Sequence, residues 1–321
     1  MIHIKTIFII AFWIFATVLF SMVGSEPEGD DQTITWYPFE WLPADSHSNL
    51  ANPHAIMRIH PAIEGLPGLK GFQLCLDVAD SYIYESAYNN LIWRKPGLEK
   101  KTFRYHAAGR TQTRILKDAE ILLKNDLIGY NEFTVIDSRN EPEDAAVSGF
   151  IGYNFFRSIK KIVVIDHPGS RFALLDELPD KWKSKAHLVR MQTSPSFISL
   201  RLRAGSSRIR LSFDGESIPA LVLYRNRDFR QIASENSVPD SLRYFYPQSN
   251  RHKMLGGKSP KTDIYFGPYK LKSHNVYFMS ERSRRLGNDN GLISQPFFED
   301  YILIVDFKND RFGIVPPSVL D

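Results

Sequence analysis

The strongest constraint on this chain is an internal repeat. Residues 149–174, GFIGYNFFRSIKKIVVIDHPGSRFAL, return at residues 291–314 as GLISQPFFEDYILIVDFKNDRFGI. Phe155, Phe156, Asp166, Arg171 and Phe172 answer to Phe297, Phe298, Asp306, Arg311 and Phe312. A lone Phe-Phe pair means core packing and nothing more, but an ordered string recurring after about 140 residues points to a duplicated unit rather than a short-period solenoid. Upstream, LCLDVADS around Asp77 and IRLSFDGES around Asp214 stand at nearly the same separation. Each half therefore carries one aspartate at the end of an apolar strand, early in the half.

The length of 321 residues suits two such units, since a domain commonly takes about 100–200 residues, and each half is large enough to enclose a core of its own. Val, Ile, Thr, Tyr and Phe recur in short alternating runs broken by Gly, Pro, Asn and Asp, the pattern of strands and turns rather than long helices. The reading is an all-β chain: a leader over 1–25, a first unit over 26–178 and a second over 179–321. The charged segment 175–187, LDELPDKWKSKAH, is the expected connector, and the strand plan resumes from Leu188. Asp166 with Arg171 and Asp306 with Arg311 have the spacing of a turn between two strands, a structural use of the acid.

The formal charge of +4 arises from 40 basic and 36 acidic residues, too even a balance to attract nucleic acid. Arg201, Arg203, Arg208 and Arg210 alternate within RLRAGSSRIR; without an accompanying aromatic platform they read as the solvated face of a hairpin rather than a phosphate stripe. His47, His54 and His60 lack metal-ligand spacing, and GESIP around Ser217 lacks the closing Gly of a nucleophile elbow.

Lys5 precedes an apolar run from Thr6 to Val23, and Ser25 stands before an acidic stretch. That order is a secretory signal, although the run also approaches the roughly 20 residues that span a bilayer, which leaves an uncleaved anchor open. Either way the body is expected to be exported. One cysteine, Cys75, makes no internal bridge, which suits a bacterial periplasm, cell envelope or secreted location, and its apolar surroundings mark it as a core residue.

With Phe150, Ile151 and Gly152 following the Asp77 loop, and Leu292, Ile293 and Ser294 following the Asp214 loop, the chain resembles the bilobal aspartic peptidases of the pepsin and retropepsin group. That group places an Asp-Thr-Gly loop after a buried strand in each lobe, then a hydrophobic pair and Gly. KTFRYHAAGRTQTRILKDAEILL is similar to its flap hairpin, with Tyr105 as the flap tyrosine that contacts substrate and Asp118 at the start of the returning strand. The resemblance implies two related lobes with a cleft between them, Asp77 and Asp214 as the catalytic pair, a peptide or protein as substrate or ligand, a monomer, and membrane contact only through an N-terminal anchor. No metal or other cofactor is implied: two close carboxylates share a proton, the ionised one activates a water and the protonated one donates to the scissile carbonyl.

The loops depart from the family pattern. Val78 has no hydroxyl and Ala79 carries a methyl group where the pattern has Thr and Gly. The second loop reads DGES, either with Gly215 and Glu216 in those places or with one residue deleted, and either way the hydroxyl that bonds across to the opposite loop is missing. Asp80 and Glu216 add negative charge, which disfavours the ionised form the mechanism needs. The expectation is a degenerate form that holds a peptide with weak or absent hydrolysis, with an active endopeptidase as the alternative.

Overall fold

A computed structural model of the protein describes residues 34–43, 56–63, 69–94, 99–106, 109–137, 145–194, 197–215, 220–246, 251–279 and 289–320. The expected leader over 1–25 lies outside them, as do His47, His54, Glu216 and Ser217. Among the described residues no helix is long and apolar enough to cross a membrane. Strands hold 54% of the structure against 14% in helices, so sheets position everything that follows.

The first half contains β1 (Trp36–Pro38), β2 (Glu40–Leu42), β3 (Ile56–Ile59), β4 (Ala62–Ile63), β5 (Phe72–Leu74), β6 (Ser81–Tyr84), β7 (Glu99–His106), β8 (Gly109–Leu123), β9 (Asp126–Ile136), β10 (Gly149–Ile151), β11 (Ile162–Asp166) and β12 (Arg171–Leu175). The second contains β13 (His187–Arg190), β14 (Gln192–Ser194), β15 (Phe197–Ala204), β16 (Ser207–Asp214), β17 (Ala220–Leu223), β18 (Ala233–Tyr246), β19 (Arg251–Pro260), β20 (Ile264–Phe266), β21 (Tyr269–Lys270), β22 (Asn275–Phe278), β23 (Gly291–Ser294), β24 (Ile302–Asp306) and β25 (Arg311–Val315).

The repeat in sequence is a repeat in topology. In the first half β10 lies parallel to β5 and antiparallel to β6, and β6 runs parallel to β9. In the second, β23 lies parallel to β16 and antiparallel to β17, and β17 runs parallel to β22. A hairpin closes each sheet, β7–β8 against β9 and β18–β19 against β22. Short helices, Glu85–Arg94 and Asn226–Ile232, follow β6 and β17 at matching points.

The inserted strands β10 and β23 begin on glycine for a steric reason. A Cβ on Gly149 would lie 2.1 Å from the Tyr82 carbonyl oxygen, and one on Gly291 2.0 Å from that of Val222. No side chain fits against the neighbouring backbone at that distance.

The two halves join through a six-stranded sheet ordered β1-β12-β11-β24-β25-β13. Its middle is the antiparallel pair β11 and β24, with Val164 opposite Ile304 and Ile162 opposite Asp306. Both strands are buried at every position, which explains why IVVID and ILIVD read as continuous rather than alternating apolar runs. The Phe pairs follow β10 and β23 in short helical turns, Tyr153–Ser158 and Gln295–Phe298, and all four rings are buried.

The structure differs from the sequence reading in two respects, the core and the position of Asp118. The halves do not enclose separate cores: one hydrophobic cluster runs through both, with Phe307 of the second half stacked on Tyr153 at 5.8 Å and on Phe156 at 6.3 Å, and Thr35–Asp321 forms one compact unit. The connector 175–187 does link β12 to β13, and within it the short helix Asp180–Lys183 buries Trp182. Asp118 does not start a strand. It sits inside β8 in the left-handed region, φ 54°, at a bulge where the strand shifts register against β9; the returning strand starts at Gly109, opposite His106 of β7.

Candidate functional site

The loop carrying Asp77 leaves the end of β5 and returns as β6, with β10 seated between the two strands. Cys75 N–H donates to the Ile151 carbonyl at 3.0 Å, Tyr153 N–H to Val78 O at 2.9 Å, and Asn154 N–H to Ala79 O at 3.0 Å. Gly152 N–H donates to Ser81 Oγ at 2.9 Å, and Asn154 Nδ2 donates to Asp80 Oδ1 at 3.3 Å. Gly152 is required here, since a Cβ on it would stand 2.4 Å from the Asp80 carbonyl oxygen and 2.7 Å from that of Ala79. The loop is therefore clamped by the residues after β10, and each orphan backbone donor of that turn finds an acceptor in it.

In the second half the residue matching Gly152 is Ser294, buried and paired in the ladder with Asp214. A hydroxymethyl group thus stands at the position where Gly152 admits two carbonyls in the first half.

The two aspartate loops meet. Gly215 lies against the Asp77 carboxylate, so closely that a Cβ on Gly215 would stand 2.5 Å from Asp77 Oδ1 and 3.2 Å from its Cγ. Asp77 Oδ1 is shut off from solvent, while Asp214, one residue before Gly215, is half-buried. Asp77 and the residue after Asp214 are thus brought together from positions far apart in the chain.

The ladders add an asymmetry. Phe150 pairs with Gln73 and Ile151 with Leu74, whereas Leu292 pairs with Ser212, Ile293 with Phe213 and Ser294 with Asp214. Counting along each ladder, Asp214 matches Cys75, and Asp77 stands two residues farther on. The same count from Asp77 reaches Glu216, outside the described residues. Cys75 is buried in the core, as its apolar setting implied.

Around the first loop the electrostatics are set by burial and by acids. Burial raises the pKa of the Tyr153 phenol above its usual value; Asp80 and Asp77 add to the rise while Arg157 opposes it. The phenol therefore stays protonated, and able to donate, at acid and neutral pH. Beside Asp80 and Ser81 opens a hollow of about 320 Å³, walled by Asn154, by Asn131 and Glu132 on β9, and by Tyr130, which is 54% exposed. Its lining mixes acids, Asp80 and Glu132, with the rings of Tyr130 and Phe155.

Tyr105 lies on β7 opposite Arg110, two residues from the end of the hairpin turn, and its side chain is outside the described part. Among the described residues no three His, Cys, Asp or Glu side chains gather to hold a metal ion. The turn acids behave as their spacing implied: Asp166 accepts from Gly169 N–H at 3.1 Å and from Arg171 Nε at 2.7 Å, while Asp306 accepts from Asn309 N–H and Nδ2, both at 2.9 Å. Arg171 thus closes the first turn and Asn309 the second.

Sequence reasoning missed Ser81 as the acceptor of Gly152 N–H, Asn154 as the donor to Asp80, and the contact of Gly215 with Asp77. It also missed Asp289, a buried acid that accepts from Ser199 Oγ at 2.9 Å and Ser212 Oγ at 2.6 Å and pairs with Arg210 at 2.7 Å. Asp289 stands in a polar run, RSRRLGNDNG, where nothing local separates a buried acid from solvated ones. Ser81, four residues after Asp77, was legible as a nearby hydroxyl. No family model matches the chain, and no curated protein is significantly similar to it.

Proposed function

We propose that the chain is an exported aspartic peptidase-like protein, with two related lobes, that holds a peptide or protein segment in the cleft where its two aspartate loops meet, and whose hydrolysis is weak or absent. The observation carrying this reading is the seating of Gly215 against the Asp77 carboxylate at the meeting point of two topologically equivalent units. A water activated at such a point needs two carboxylates in matched positions, one ionised and one protonated. Here Asp77 and Asp214 stand two ladder positions out of step, Val78 supplies no hydroxyl, and Ser294 stands where the first half has Gly152. Misplacement by about 1 Å can reduce rate by about a hundredfold, so binding outlasts catalysis. The reading also takes the protein as a monomer of the bacterial periplasm, envelope or secreted space, with no nucleic-acid partner and with Tyr105 over the bound segment.

The closeness of Asp77 to the second loop favours one alternative, an active endopeptidase using Asp77 and Asp214. Incubation with an unfolded, carboxymethylated protein across acid to neutral pH separates the two. The expected outcome is trace cleavage at acid pH, abolished by Asp214→Asn, together with retention of unfolded peptides that Asp77→Asn weakens. Robust acid cleavage abolished by Asp214→Asn establishes the active enzyme instead. Robust cleavage that survives Asp214→Asn and Glu216→Gln removes the aspartic peptidase reading altogether.

A further inference from the structure

The four alternating arginines fall on one face of the β15–β16 hairpin, with Arg201 directly opposite Arg210 and Arg203 directly opposite Arg208. Like charges placed opposite each other across a ladder are destabilising, their Cβ atoms being only about 5 Å apart. Arg203 stacks on Tyr265 at 4.2 Å, and Arg210 is held by buried Asp289. Arg201 is exposed and, among the described residues, has no carboxylate partner.

Beside Arg201 and Arg210 lies a hollow of about 820 Å³, which also takes in Arg190 at the end of β13 and Asp310 in the turn before β25. Arg190 is exposed as well, with no carboxylate partner among the described residues, and it stands directly opposite Arg311. Asp310 is engaged by Arg157 at 2.6 Å and Arg210 by Asp289. The lining holds three guanidinium groups and one carboxylate; Asp289 balances Arg210 and Arg157 balances Asp310, which leaves the positive charges of Arg190 and Arg201. Val189 and Met191 supply an apolar wall, which excludes water on one side and strengthens charge interactions within the hollow.

We propose that this hollow binds a phosphate group, free or as a monoester. The residual double positive charge matches a dianion, arginine's planar fork suits tetrahedral oxyanions, and the hollow's size lies within the usual range for small-molecule sites. An exposed hairpin face would hold its arginines apart in solvent; here strands β13, β15 and β16 bring three of them to one hollow. The site includes neither Asp77 nor Asp214 and does not depend on the peptidase-like reading.

Titration calorimetry of the purified chain with inorganic phosphate and with glycerol 3-phosphate tests it. At about pH 7 and about 0.15 M salt, where long-range surface attraction is screened, at least one ligand is expected to saturate with a Kd below about 1 mM. Tighter binding of glycerol 3-phosphate assigns a monoester, and equal or tighter binding of inorganic phosphate assigns free phosphate. Arg201→Gln and, separately, Arg190→Gln should each weaken binding by about tenfold or more, as loss of a charged hydrogen bond does, while Arg227→Gln, exposed on another element, should leave it unchanged. Absence of saturation with both ligands, or binding that both Arg201→Gln and Arg190→Gln leave intact, overturns the proposal.

Discussion

Gly215 has room for a hydrogen and no more. A methyl group there would meet Asp77 Oδ1 at 2.5 Å and the Leu76 nitrogen at 3.4 Å, so Gly215→Ala must push the carboxylate or its loop aside. Overpacking of this kind costs about 1–3 kcal/mol, and urea denaturation should register it, together with loss of peptide retention. An unchanged midpoint and unchanged retention would mean that the two loops are not held together. His167 belongs to the same scale. Its ring stacks on Trp41 at 6.0 Å, its Nε2 accepts from Gln295 Nε2 at 2.9 Å, and its Nδ1 faces the Tyr301 carbonyl at 3.4 Å. That partner set suits a neutral ring protonated on Nδ1. Burial is the largest influence and pulls its pKa from 6.5 down to about 4, against smaller upward pulls from the Tyr301 carbonyl, Glu299 and Asp166. Between those two pH values the unfolded chain carries a proton here that the folded chain does not. Stability therefore falls as pH falls through this window, at about 1.4 kcal/mol per pH unit and about 3 kcal/mol in all from this residue. Urea titrations at several pH values should show that loss, and His167→Asn should flatten it. The test matters for function, because any acid-pH peptidase assay must be run where the chain is still folded.

At the scale of elements, the two inserted strands are the most demanding parts of the fold. β10 and β23 each make one parallel and one antiparallel pairing at once, and their glycines lie against a carbonyl of the antiparallel neighbour. Gly291→Ala would set a methyl group 2.0 Å from the Val222 oxygen. The carbonyl cannot retreat without breaking the pairing of β17 with β23, so the expected loss is about 3 kcal/mol or more, at the upper end for overpacking. Circular dichroism and denaturation would check it, and a wild-type midpoint would contradict the pairing. The role of β15 and β16 as a hairpin was legible from the alternating arginines; the convergence of β13 on the same hollow was not, because residues 187–190 carry no local mark of their distant partner β25.

For the whole molecule, the pairing of β11 with β24 and the stacking of Phe307 on Tyr153 and Phe156 make the halves depend on each other. Residues 35–178 and 179–321, expressed separately, should each lack a cooperative unfolding transition, because each alone would expose one side of a fully buried central strand. The intact chain should unfold in a single calorimetric transition. Two separated transitions, or a half that unfolds cooperatively on its own, would mean that the shared core contributes little.

The sequence by itself determined what depends on neighbours in the chain: the strand-rich composition, the internal repeat, the buried Phe pairs, the turn acids Asp166 and Asp306, and the presence of an aspartate after a buried strand in each half. These follow from alternation, turn chemistry and the spacing of apolar residues, all of which act over a few positions. The tertiary structure alone decided which distant residues meet. It put Gly215 on Asp77, set Asp214 level with Cys75 rather than with Asp77, merged two expected cores into one, and buried Asp289 beneath Arg210. Register between strands separated by long stretches of chain is chosen by how whole faces pack and where loops can close, and a shift of one residue changes every contact while leaving the local pattern of the sequence untouched.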